Sequence, residues 1–94
     1  MVIGVATVSL HLPLATSLKD KRSVVRRLSA RLRDRFNVAV AEVDDLDYWG
    51  RATMAIVCVS TSGRHSRSML DKVVNAIEEM RIDAELFDVH IELL

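Results

Sequence analysis

Aromatic residues, cysteine, proline and glycine are all scarce in this 94-residue chain, and its formal net charge is zero. A single cysteine, Cys58, excludes an intrachain disulfide and fits a reducing, cytoplasmic setting. One proline and three glycines leave no Gly/Pro-rich linker and no glycine-rich phosphate cradle of the GxxxxGK kind. No apolar run approaches the ~18–20 residues that a membrane span needs. The opening MVIGVATVSLHLPL lacks a basic n-region and a small-residue cleavage site, so it reads as a strand rather than a signal peptide. A zero net charge gives no overall pull on polyanions, so any such preference has to come from local polarity.

That polarity is present. Ser17 to Phe36 holds Lys19, Lys21, Arg22, Arg26, Arg27, Arg31, Arg33 and Arg35 against Asp20 and Asp34. The stretch therefore carries +6, and the rest of the chain −6. Leu18, Val25, Leu28, Leu32 and Phe36 recur at helical spacing, which predicts an amphipathic helix packed on a sheet. Ser17 followed by Asp20 is a capping-box-like start. Lys19, Arg22, Arg26 and Arg33 form a second stripe about a quarter turn from the apolar one. Arg27 and Arg31 lie farther round, and Lys21 falls so close to the apolar arc that its stem must snorkel.

Around this helix the periodicity switches to two. Val2–Leu12 alternates as a half-buried strand, and residues 37–43 form a second β-rich run. After the acidic turn of Asp44, Asp45 and Asp47 and the Tyr48-Trp49-Gly50 segment, Arg51–Ser60 is apolar on both faces, as a central strand should be. Thr61–Ser68 reads as a polar loop. Leu70, Val73, Ile77 and Met80 mark a second helix, with Ser68 and Asp71 as a capping-box-like pair or with a first turn that begins a few residues earlier. Ala84–Leu94 closes the chain as a strand with Phe87, Val89, Ile91 and Leu93 on one face. The order β-α-β-β-α-β predicts a single α+β domain over residues 1–94. Its ferredoxin-like sandwich has a four-stranded antiparallel sheet with two helices on one face.

With these segments placed, MVIGV, SLKDKRSVVRRL, FNVAVAEVDD, Trp49 and Arg51-Ala52 resemble the small uncharacterised bacterial proteins known as YlxP-like. The resemblance runs nearly end to end; Ala39 departs from it, where similar proteins often carry serine. It implies the same fold, a cytoplasmic bacterial protein, and frequent gene company with translation and ribosome maturation. It implies no catalytic residues and no cofactor.

The candidate functional residues follow from charge and position. Lys19, Lys21, Arg22, Arg26, Arg27 and Arg33 are the expected RNA- or anion-binding set, because cations repeated every turn track a phosphate backbone. The competing view is a solvated face whose arginines pair with the protein's own acids. Ile3, Val5, Thr7, Ala55, Val57 and Val59 form the sheet's open face; none is aromatic, so base stacking there is not expected, and burial in a homodimer is. Trp49 either folds back over an exposed end of the core, the commoner role of a loop tryptophan, or joins Arg64 and Arg67 as a partner contact, with Arg64–Ser68 as a weak anion loop. His11 and His90 share a face but lack a third ligand, so no metal site is assigned. The expected function is a non-enzymatic RNA- or ribosome-associated factor. The alternatives are a dimeric module binding a small ligand or anion and, behind it, a metal-dependent enzyme.

Overall fold

In the computed structural model, which describes residues 1–94, the elements are β1 (Val2–His11), α1 (Leu18–Arg35), β2 (Ala39–Asp44), β3 (Arg51–Ser60), α2 (Gly63–Glu79) and β4 (Glu85–Leu93). All strand pairs are antiparallel, in the order β2-β3-β1-β4. This is the expected ferredoxin-like α+β sandwich. Even-numbered residues of β1 and β3 face one way: Ala6, Val8, Leu10, Ala52, Met54, Ile56 and Cys58 are buried. They share one core with Val24, Leu28 and Leu32 of α1 and Leu70, Val73 and Ile77 of α2, so both helices cover the same face. The opposite face has no helix on it, and there Ile3, Val5, Thr7, Ala55 and Val57 are half-buried while Val59 is exposed.

Gly4 sits where α2 crosses β1. A Cβ there would meet Cys58 Sγ and Leu70 Cδ1 at 3.0 Å each, so the absence of a side chain lets the helix approach the strand.

Three expectations about the helices shift. The buried line of α1 is Lys21, Val24, Leu28, Ser29 and Leu32; Val25 and Phe36 pack against the core only in part, and Leu18 is likewise half-buried. The helix is thus rolled to bring Lys21 inward. Thr61–Ser68 is not a loop, because α2 begins at Gly63. Ser62 caps it by accepting the His65 amide at 3.3 Å, displacing Ser68 and Asp71 from that role. Ser66 is buried with its hydroxyl 2.6 Å from that of Ser60, which fixes this first turn against the end of β3.

Two bulges also change which side chains share a face. The β2–β3 register slips between Glu42 and Asp44, leaving Val43 extra. The β1–β4 register slips so that Ser9 faces Asp88 while Leu10 faces Leu86. Leu86 therefore takes the inward place, and Phe87 leaves the row of Val89, Ile91 and Leu93 for an exposed position.

Candidate nucleic-acid interface

The start of α1 is built by Thr16, Ser17 and Asp20. The Asp20 amide donates to Ser17 Oγ at 3.1 Å, and the Asp20 carboxylate accepts from both the amide and the hydroxyl of Thr16 at 3.0 Å. Those two donations hold the Asp20 carboxyl below the ordinary carboxylate value, the backbone one contributing most. The expected Ser17–Asp20 pair is present, with the carboxylate reaching back one residue farther than in a standard capping box.

Along the exposed side of α1, Lys19, Arg22 and Arg26 reach solvent with no carboxylate within 4.0 Å. The internal pairing that would neutralise them does not occur. Arg33, on the same stripe, donates to the carbonyl of Val40 on β2 at 2.9 Å, so part of its donor capacity is used within the fold. Arg27 lies elsewhere: it reaches toward the Ser23 carbonyl at 3.5 Å and lines a cleft of about 240 Å³ with Leu12, Leu14, Asp20 and Asp83. Arg31 is exposed. Arg35 stands 5.6 Å from the Phe36 ring centre.

Lys21 has to be removed from the surface set. It is 1% exposed, and its ammonium donates to the carbonyls of Asp45 at 2.6 Å and Arg51 at 3.2 Å and pairs with Glu42 Oε2 at 2.7 Å. Glu42 faces inward because it lies opposite Met54 of the buried row. Lys21 thereby ties α1 to both ends of the β2–β3 turn instead of meeting a ligand. Asp45, at the turn with φ 58°, has its carboxylate on the Thr53 hydroxyl at 2.8 Å. Aspartate tolerates this left-handed backbone better than most residues.

The other expected residues are dispersed. Arg64 and Arg67 are exposed on the first turns of α2, and Arg67 pairs with Asp71 at 3.6 Å. Of the serines in and beside the supposed anion loop, Ser62 is engaged as the cap and Ser66 with Ser60, while Ser68 is exposed. His90 lies opposite Thr7, four residues along β1 from His11, or about 13 Å at strand rise. His11 instead approaches Glu85 at 3.7 Å, so the two imidazoles do not converge. No group of three metal-type ligands comes together, and no helix is long and apolar enough to cross a membrane. Cys58 is buried, as expected for a central strand.

The sequence reading missed a cluster of rings at one end of the sheet. Arg51, opposite His11, places its guanidinium 5.9 Å from the Tyr48 ring centre and 5.6 Å from that of Phe87. The bulge that displaces Phe87 creates the arrangement, and alternation alone gave no sign of it.

The geometry defines a class: a small α+β domain without a convergent catalytic cluster, presenting an unpaired cationic helix face. Residues 3–91 match the family described as "Protein of unknown function (DUF503)", and the chain belongs to that family. It is also 34% identical over 77 residues to the "Uncharacterized protein YlxP" of Bacillus subtilis (strain 168), spanning 82% of this chain and 84% of that protein. The resemblance read from SLKDKR and its neighbours is thus shown.

Proposed function

We propose that this protein is a non-enzymatic RNA- or ribosome-associated factor that contacts phosphate backbone through α1. The observation that supports it is the row Lys19, Arg22 and Arg26, exposed and without an internal carboxylate partner. The Arg22 and Arg26 guanidinium groups supply planar, bidentate donors suited to phosphate, Lys19 adds an ammonium, and three phosphate contacts release counterions from the nucleic acid. Arg33 adds to the row only with the donors that Val40 leaves free.

Binding through three phosphates gives a slope of about −2 to −3 for log affinity against log salt. The test is co-sedimentation with ribosomal particles over a salt series. Lys19→Glu, Arg22→Glu and Arg26→Glu together are expected to lower binding at least tenfold and flatten that slope. Arg64→Glu with Arg67→Glu, the same kind of charge reversal on α2, is expected to stay within twofold. Equal co-sedimentation of the triple variant and the unchanged protein would refute the proposal.

A second reading, a homodimer through the open sheet face, is supported by the aliphatic rows of Ile3, Val5, Val57 and the exposed Val59. It is compatible with the first, since α1 lies on the other side of the sheet.

A further inference from the structure

We infer that the end of the sheet bearing Tyr48, Trp49 and Phe87 is a docking surface for a lysine- or arginine-rich segment of another protein. The inference stands apart from the phosphate-binding reading, because it uses other residues and the opposite charge.

Three of the four aromatic residues stand at this end, at 61%, 49% and 54% exposure respectively. Large rings left in water at one site mark contact surfaces in small soluble domains. Two of them are already ordered, since the Arg51 guanidinium stands against both the Tyr48 and Phe87 rings. Ordering before contact lowers the entropy lost on binding.

Charge selects the occupant. Asp44, Asp45 and Asp47 in the turn, and Glu85 and Asp88 on β4, surround this end. Their one ion pair is the exposed contact of Glu85 with His11. Asp44 and Asp45 also serve the turn itself, accepting the Asp45 amide and the Thr53 hydroxyl at 2.8 Å each. Asp47, Glu85 and Asp88 have no lysine or arginine within 4.0 Å. A phosphate backbone is repelled by such a rim. A basic peptide is attracted by it, and the exposed Trp49 ring, against which no cation stands, rewards an ammonium or guanidinium group further. Carboxylates around rings therefore fit a cationic protein segment and disfavour RNA.

Trp49 is the only tryptophan, so its emission reports on this end of the molecule. The probe is a synthetic peptide rich in lysine and arginine and free of aromatic residues, titrated at about 0.15 M salt, where charges beyond roughly 8 Å are screened. A saturable change in Trp49 emission is expected. Phe87→Ala with Asp47→Asn should weaken it at least tenfold. Asp47→Asn with Glu85→Gln, both exposed and outside the core, should weaken it at least threefold while leaving the rings in place. The triple α1 variant should bind the peptide within twofold of the unchanged protein, which separates this result from the phosphate test. No emission change, or binding by both variants equal to that of the unchanged protein, overturns the inference. So does a change produced by single-stranded RNA in place of the peptide, or by concentrating the protein alone; these would assign the surface to RNA or to a second copy.

Discussion

At the scale of single residues, Lys21 shows how far a side chain's surroundings can override its usual place. Its ammonium has three oxygen partners within 3.2 Å and is almost wholly buried, while the Glu42 side chain keeps 17% exposure. Breaking a buried pair from one side strands the other charge, whereas replacing both members with apolar groups is often harmless. Lys21→Met is therefore expected to destabilise the fold by about 3–5 kcal/mol in urea unfolding. Lys21→Met with Glu42→Leu should recover most of that loss, short of the two carbonyl contacts. A double variant as unstable as the single one would show that the carbonyls, not Glu42, hold the ammonium. The pair was half legible in the sequence. Lys21 fell on the apolar arc of the helix, and Glu42 shares the parity of Val38 and Val40; an acid and a base both at inward positions call for each other. Reading the helix and strand separately hid this, and snorkelling was the default that resulted.

At the scale of elements, α1 depends on the cap at Thr16, Ser17 and Asp20. The depressed Asp20 carboxyl makes its contribution pH-dependent, and the sign is fixed. A carboxyl held lower in the folded chain stabilises it fully above the ordinary value of 3.8, and loses that contribution as pH falls through the folded value. Thr16→Val removes the hydroxyl donor and keeps the amide. Carbon-detected NMR titration should then show the Asp20 midpoint rising toward 3.8, though not reaching it, because the larger backbone contribution persists. An unmoved midpoint would mean that the hydroxyl contact is absent in solution. Helix and strand identities were readable throughout from spacing. What escaped were the two bulges, and the choice between the two possible starts of α2 stayed open. A bulge adds one residue without altering composition, so Phe87 kept the parity of Val89 and Ile91 while losing their face. The α2 start turned on which of several nearby serines is the cap, and the hydrogen bond between Ser60 and Ser66 decides that tertiary question.

At the scale of the molecule, opposite charge is segregated, and Lys21–Glu42 is the one ion pair that joins α1 to the strands. The protein is near its isoelectric point of about 6.8 at neutral pH, with cations on α1 and carboxylates on the β2–β3 turn and β4. At about 10 mM salt, where the Debye length is roughly 30 Å, such patches attract patches on other copies. Light scattering is expected to show net attraction there that disappears near 0.15 M. A dimer through the open aliphatic face would instead persist at the higher salt, as a particle of twice 10.6 kDa. Scattering by a monomer at every micromolar concentration would exclude that dimer. The candidate phosphate row was visible in the sequence because charge needs no structure to be counted. Its division into free Lys19, Arg22 and Arg26, engaged Arg33 and buried Lys21 was not, since each assignment depends on a distant strand.

The Arg33 contact has a further consequence for the border of the sheet. A strand with unpaired backbone along one side is a template for misassembly with other chains. On β2 that border is only six residues long, is bent by the extra Val43, and has a guanidinium on the Val40 carbonyl. On β4 the opposite border is interrupted at Phe87. Both borders are poor seeds for added strands, so the sheet ends at four and resists the edge-to-edge growth that precedes fibrils.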